Sequence, residues 1–258
     1  MTDAQPSHIV TSYEQELTRL RAAISEMGGR VEVQLSDAIR AISRRDAALA
    51  ARCQAADASI DAMEDEIEEL TLRMIALRQP VARDLRSILA ALRISHDLER
   101  MGDYATNVAK RASALIRLPE VGPINGIARM GRLAHLVIKD VLDAYTDNDV
   151  ERAVNAWRRD EEIDQMYTSL FRELLTYMME DPRNITPCAH LLFVAKNIER
   201  IGDHATNIAE TIYFEETGTR LEGLRPKGDT SSFEIQGEEP ADPFDLDPPG
   251  PEDGSETP

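Results

Sequence analysis

Apolar side chains recur every three to four positions from near the start of the chain to Glu216, the period of a helix that buries one face. Punctuation divides this pattern into six helices. The first runs from about Ser12 to Ser43, and Asp46 is placed to cap the second. Gln79-Pro80 ends the second; the third begins near Val81 or Arg83 and stops before Pro119. The segment from Pro119 to Gly126 is the one substantial break before residue 181. A fourth helix then reaches about Tyr145, Asp149 caps the fifth as Asp46 caps the second, and Asp181 to Pro187 separates the fifth from the sixth. Long helices joined by short turns pack as antiparallel bundles.

The pattern also repeats. Ile94–Ala109 and Val194–Ala209 are offset by one hundred positions, and half of the aligned positions are identical. The shared polar residues are Glu99, Arg100, Asp103, Thr106 and Asn107 against Glu199, Arg200, Asp203, Thr206 and Asn207. At an offset of 103, Asp57-x-x-Ile60-Asp61-x-Met63 recurs as Asp160-x-x-Ile163-Asp164-x-Met166, and Ile24-x-x-Met27-Gly28 as Ile127-x-x-Met130-Gly131. A period near one hundred is too long for a solenoid and points to two homologous subdomains. The expected class is all-α: two tandem antiparallel three-helix bundles over residues 8–118 and 124–216, with a tail from residue 217 to 258.

The tail is a different material. It holds 7 of the chain's 13 prolines, 6 of its 13 glycines, 11 acidic residues and only 3 basic ones, so disorder is expected there. It either stays solvated or attracts a basic partner. The net charge of -18 makes nucleic acid and anionic membrane surfaces poor partners. No apolar run has the length of a membrane span and the first twenty residues lack a leader pattern, so a cytoplasmic protein is expected. Cys53 and Cys188 lack CxxC spacing and read as reduced, structural thiols.

Candidate chemistry lies in the shared polar positions. On a helix Glu99, Asp103 and Asn107 stand at i, i+4 and i+8, forming a stripe opposite Ile94, Leu98, Met101, Ala105 and Val108. That places the stripe on the outer surface of the bundle. Asp57, Asp61, Glu64 and Glu68 form a similar stripe on the second helix, and Asp160 and Asp164 match it on the fifth. Like charges at i, i+4 repel by a few tenths of a kcal/mol, so a bare helix gains nothing from repeating them. A cation between two stripes reverses that sign. Hard oxygen ligands suit magnesium, manganese, calcium or iron, and without a thiolate a structural zinc site is not expected. Gly102 and Gly202 each cost about 1 kcal/mol inside a helix, which either close helix packing or close approach of a backbone or cation would explain. Arg100 and Arg200 either orient the carboxylates, bind an acidic partner or form plain salt bridges. His96 becomes Lys196 and Tyr104 becomes His204 in the second copy, so no histidine is expected as a ligand.

With E-R-x-G-D-x-A-T-N-x-A doubled and a DxxxD on each preceding helix, the chain resembles the PhoU family of bacterial phosphate-transport accessory and regulatory proteins over residues 8–216. The resemblance implies two three-helix bundles with multinuclear metal sites, Asp57 and Asp61 with Glu99 and Asp103, then Asp160 and Asp164 with Glu199 and Asp203. Arg100, Asn107, Arg200 and Asn207 would support those ligands, and the ions would be divalent or ferric: Mg, Mn, Fe or Zn. It further implies a homodimeric, non-catalytic negative regulator joining the ATPase subunit of the phosphate ABC transporter to the sensor histidine kinase of the phosphate regulon. The acidic tail departs from the family's usual short ending. The rival is a carboxylate-rich metalloenzyme, a di-iron oxidase or a phosphohydrolase; the absent ExxH motif and the absence of a Gly-rich phosphate loop count against it. A helical scaffold without metal is a third possibility.

Overall fold

In the computed structural model, residues 5–221 are described, with side chains from Tyr13 onward. The expected disorder of the tail falls almost entirely outside them. The described elements are α1 (Gln5–Arg44), α2 (Ala47–Ala55), α3 (Asp57–Arg78), α4 (Arg83–Leu115), α5 (Ile124–Asp147), α6 (Val150–Arg158), α7 (Asp160–Glu180) and α8 (Ile185–Thr217). One 3-10 turn, Pro182–Asn184, precedes α8.

Two of the six expected helices are therefore each two. The second bends at Ala56 and the fifth at Arg159, although both residues keep right-handed helical dihedrals. Each bend is a tightened turn in which the N–H of Ala56 reaches the carbonyls of Arg52 and Cys53, and that of Arg159 reaches those of Ala156 and Trp157. Neither proline nor glycine marks these bends. The available signal is the acidic residue opening each following helix, Asp57 and Asp160, where the N-terminal helix dipole favours negative charge. The two expected caps are present: Asp46 accepts from the N–H of Leu49 at 2.9 Å and Asp149 from that of Arg152 at 2.9 Å.

Helices α1 to α4 form the first bundle and α5 to α8 the second. They share one continuous apolar core, in which α4 packs on α8 and α1 on α5. Pairings along the α4/α8 contact run in opposite directions: Arg83 with Glu216, Asp97 with His204, and Arg111 with Phe193. The two central helices are thus antiparallel, as a duplication related by an approximate two-fold axis requires. Ile94, Leu98, Met101, Ala105 and Val108 are fully buried, as their spacing predicts. Cys53 and Cys188 are buried free thiols, and burial pushes Cys53 up to about 12.

The bundle ends are tied by polar contacts. Arg21 of α1 bonds Glu215 of α8 at 3.1 Å and Asn148, the residue closing α5, at 2.8 Å, while Arg86 of α4 donates to the Glu215 carbonyl. Burial holds the Glu215 carboxyl above its ordinary range despite hydrogen bonds from Ser87 and Arg21. A carboxyl raised in the folded state favours folding below its unfolded-state pKa, and that contribution is lost as pH rises through the folded value. Glu215→Gln keeps an acceptor for Arg21 and removes the titration. Its unfolding free energy relative to the parent chain should therefore increase from acid to neutral pH, as read by urea denaturation across that range. A pH-independent difference would refute this.

Candidate metal and regulatory site

Each half brings the DxxxD start of one helix against the ExxxD segment of another. In the first half, Asp57 lies in the first turn of α3, and Thr106 of α4 donates to its Oδ1 at 2.8 Å. Thr106 in turn accepts from Gln34 of α1 at 2.8 Å, so three helices hold this carboxylate. Asp61 is exposed; the partial desolvation that α3 and its neighbours impose, then the nearby Asp57, Asp103 and Asp65, raises its carboxyl. Glu99 is raised for the same reasons, by burial first and then by Asp103 and Glu64, against the opposing pull of Arg100 and His96. Arg100 lies 3.3 Å from both Glu99 and Asp103. Its contact with Glu99 Oε2 lacks hydrogen-bond geometry, and that buried oxygen has no hydrogen-bond partner.

Beside these four carboxylates stand two residues not expected as ligands. One atom each from Glu64, His96 and Glu99 lie within 4.8 Å of one another, and His96 Nδ1 is 3.2 Å from Glu64 Oε1. The signal was present in the spacing. Glu64 follows Asp61 by three positions and His96 precedes Glu99 by three, so both flank the stripes on the facing side.

The second half has the same plan and a different interior. Asp160, Asp164 and Glu199 are only 1%, 4% and 5% exposed, so this stripe is a buried seam between α7 and α8 and not the outward surface that the helical pattern suggests. The reason is a second helix: α7 lies over the stripe that α8 would otherwise show to water. Burial raises Glu199 most, with Asp203 and Asp164 adding to it, while the Lys196 ammonium bonds Glu199 Oε1 at 2.7 Å and opposes the shift. Glu199 Oε2 is buried without a hydrogen-bond partner. Lys196 also stands 4.9 Å over the ring of Tyr167, the residue matching Glu64 at the offset of 103. The second copy thus exchanges an acid and a histidine for a tyrosine and a lysine.

Gly102 and Gly202 serve close packing. A Cβ at Gly102 would stand 3.1 Å from Ile60 Cδ1; at Gly202 it would stand 2.9 Å from Ile163 Cδ1 and 2.8 Å from Asp160 Oδ1. The second glycine therefore also makes room for a carboxylate of the site.

Of the four supporting residues, only Arg100 reaches the carboxylates. Asn207 donates to Asp97 Oδ1 at 3.2 Å, Arg200 lies 5.6 Å from the Tyr104 ring, and Asn107 and Arg200 line the α4/α8 seam. Each i+4 step turns past a full revolution by about 40°, so two steps carry asparagine away from the stripe and into the seam.

These residues fit a cation. Hard oxygens converge from two helices, desolvation and then neighbouring carboxylates raise Asp61, Glu99 and Glu199, and the buried Oε2 atoms of Glu99 and Glu199 lack hydrogen bonds. Residues 24–112 and 127–212 each match the PhoU domain. The chain belongs to the PhoU family. It is 54% identical over 226 residues, 87% of this chain and 98% of the relative, to the phosphate-specific transport system accessory protein PhoU homolog of Caulobacter vibrioides. It is 39% identical over 207 residues, 80% of this chain and 86% of the relative, to the phosphate-specific transport system accessory protein PhoU of Escherichia coli K12. The crystal structure of PhoU from Pseudomonas aeruginosa superposes with a TM-score of 0.78 at 38% identity, covering 80% of this chain and all of that one. That of the phosphate transport system regulatory protein PhoU from Streptococcus pneumoniae gives 0.75 at 28% identity, over 81% and 99%. The all-helical, twice-repeated PhoU fold expected from the sequence is the one found.

The packing of the two glycines makes unequal demands. Alanine gains helix propensity worth up to about 1 kcal/mol at either site. At Gly102 the neighbouring Ile60 side chain can give way, so Gly102→Ala should be close to neutral. At Gly202 the Cβ must displace both Ile163 and Asp160, and Gly202→Ala should cost about 1–3 kcal/mol. Denaturant unfolding of the two variants checks the order; equal effects would show that Asp160 is not held against this backbone.

Proposed function

We propose that this PhoU-family protein is an accessory regulator of phosphate transport, a cytoplasmic, metal-dependent adaptor that catalyses no reaction. The observation that carries it is the pairing of mutually repelling carboxylates at both copies of one motif, partly open to solvent in the first and largely buried in the second, in a chain aligned over 98% of a relative named as a phosphate-transport accessory protein. The names of the relatives are those of accessory and regulatory proteins, which favours binding over turnover. No helix of the described residues is long and apolar enough to cross a membrane.

Asp57, Asp61, Glu99 and Asp103 would hold one cation site, joined by Glu64 and His96. Asp160, Asp164, Glu199 and Asp203 would hold the other. A bound cation supplies charge neutralisation and a fixed crosslink between α3 and α4, or between α7 and α8. The partners, following the family resemblance, are the ATPase subunit of the phosphate ABC transporter and the sensor histidine kinase, which the regulator restrains when phosphate is plentiful.

The metal reading is tested by elemental analysis of the purified protein. Asp103→Ala and Asp203→Ala should each lower the bound metal by about half while helical content by circular dichroism stays near that of the parent, because the ligands lie beside the core and not in it. Unchanged metal in the double variant sinks it.

The adaptor reading is tested by a reporter on a phosphate-starvation promoter in high phosphate. Deletion should switch the reporter on, and across a titrated expression series repression should follow the ratio of the regulator to its partners, as mass action demands. Complete repression at levels far below those of the kinase and transporter would mark a catalyst instead.

A further inference from the structure

The approximate two-fold axis of the α4/α8 seam relates the two ends of that seam, and they have diverged in charge. One end contains Arg93, Asp97, Asn207, Glu210, Thr211 and Arg220, a balance of acids and bases. The other is a concave pocket of about 340 Å³ lined by Asn107, Lys110, Arg111, Ala114, Asn197 and Arg200. Compared position by position, Asp97 corresponds to Asn197, Glu210 to Lys110 and Thr211 to Arg111. Each of these three exchanges adds positive charge to the second end.

The cations there lack counter-charges. Among the described residues no carboxylate bonds Lys110, Arg111 or Arg200. The Arg111 guanidinium lies 4.5 Å over the Phe193 ring and 3.4 Å from His190 Nδ1, which orients it without neutralising it. Arg200 lies similarly beside Tyr104. Burial, and after it the Arg111 charge, hold the His190 pKa below its ordinary range. In a chain of net charge -18, three cations without a bonded carboxylate among the described residues gather around one concavity, where they repel one another and only the two guanidinium groups have aromatic contacts to offset it.

We infer that this pocket binds a compact polyvalent oxyanion of the phosphoryl class. Two guanidinium groups present planar donor pairs to phosphoryl oxygens, an ammonium adds a point charge, and the two carboxamides offer further donors. The pocket spans two turns of α4, about 10 Å, too short for an extended chain to use its length. An extended acidic segment following the seam would also meet Asp97 and Glu210 at its far end. This site is separate from the carboxylate clusters and does not depend on a metal there.

Isothermal titration of the full chain with pyrophosphate and orthophosphate, against sulfate at matched ionic strength, tests the inference. One pyrophosphate per chain is expected to bind. Lys110→Glu and Arg111→Thr, which install what the paired end already carries, should each weaken it by about tenfold or more. Arg200→Gln, a smaller change, should act in the same direction with the melting temperature of the parent. Asp103→Ala with Asp203→Ala should leave the affinity unchanged. Absence of pyrophosphate binding, equal binding by the Lys110 and Arg111 variants, or loss only in the carboxylate variants would overturn the assignment. So would a peptide of residues 222–258 that saturates the pocket while pyrophosphate does not.

Discussion

The antiparallel contact between α4 and α8 imposes its geometry on both halves of the molecule. Because one motif sits on both helices, each copy must satisfy several neighbours at once. Leu98, Met101, Ala105 and Val108 turn to the shared core. Gly102 lets α3 approach, and Gly202 does the same for α7. Tyr104 and His204 meet at the seam with ring centroids 5.6 Å apart, where the two-fold relation brings equivalent positions together. Glu99 and Asp103, with Glu199 and Asp203, are left on the flank where the preceding helix opens with its own aspartates. A helix serving four surfaces has little freedom to vary, which accounts for a polar identity greater than core packing alone would need.

The carboxylate clusters are where this packing is electrostatically costly. Burying a charge without a partner costs several kcal/mol, and like charges nearby add to it. The two halves meet that cost differently. The second supplies its own counter-ion, Lys196, to Glu199 inside a nearly dry seam. The first is more open and sets Glu64 and His96 beside Glu99, an arrangement better suited to an added cation than to an internal one. Two sites descended from one ancestor segment have thus acquired different local chemistries, and the ends of the α4/α8 seam have done so as well.

Much of the fold was legible in the sequence. The helical period, the caps at Asp46 and Asp149, and the repeat offsets of 100 and 103 are local properties, expressed by any chain with those residues. They determine the helical segments and the face each turns to the core, but not the two bends that make four helices of the three segments in each half. The DxxxD and ExxxD stripes could be read too, because helical spacing alone sets which side chains share a face.

Other features arise between helices, and no helical wheel contains them. The bends at Ala56 and Arg159 lack a breaking residue, and the helices on either side of each bend lie on the same two neighbours, α1 and α4 in the first half and α5 and α8 in the second. The burial of Asp160, Asp164 and Glu199 depends on α7 covering a stripe that would be exposed on α8 alone. The positions of Asn107 and Asn207 in the seam reflect the slow drift of an i+4 row around the helix, and Arg200 stands there because it is about 100° around from Glu199; both matter only once a second helix occupies that side. Sequence periodicity determined which residues lie together on one helix. Tertiary structure decided which stripes meet, because burial and charge pairing are properties of two surfaces in contact and not of either one.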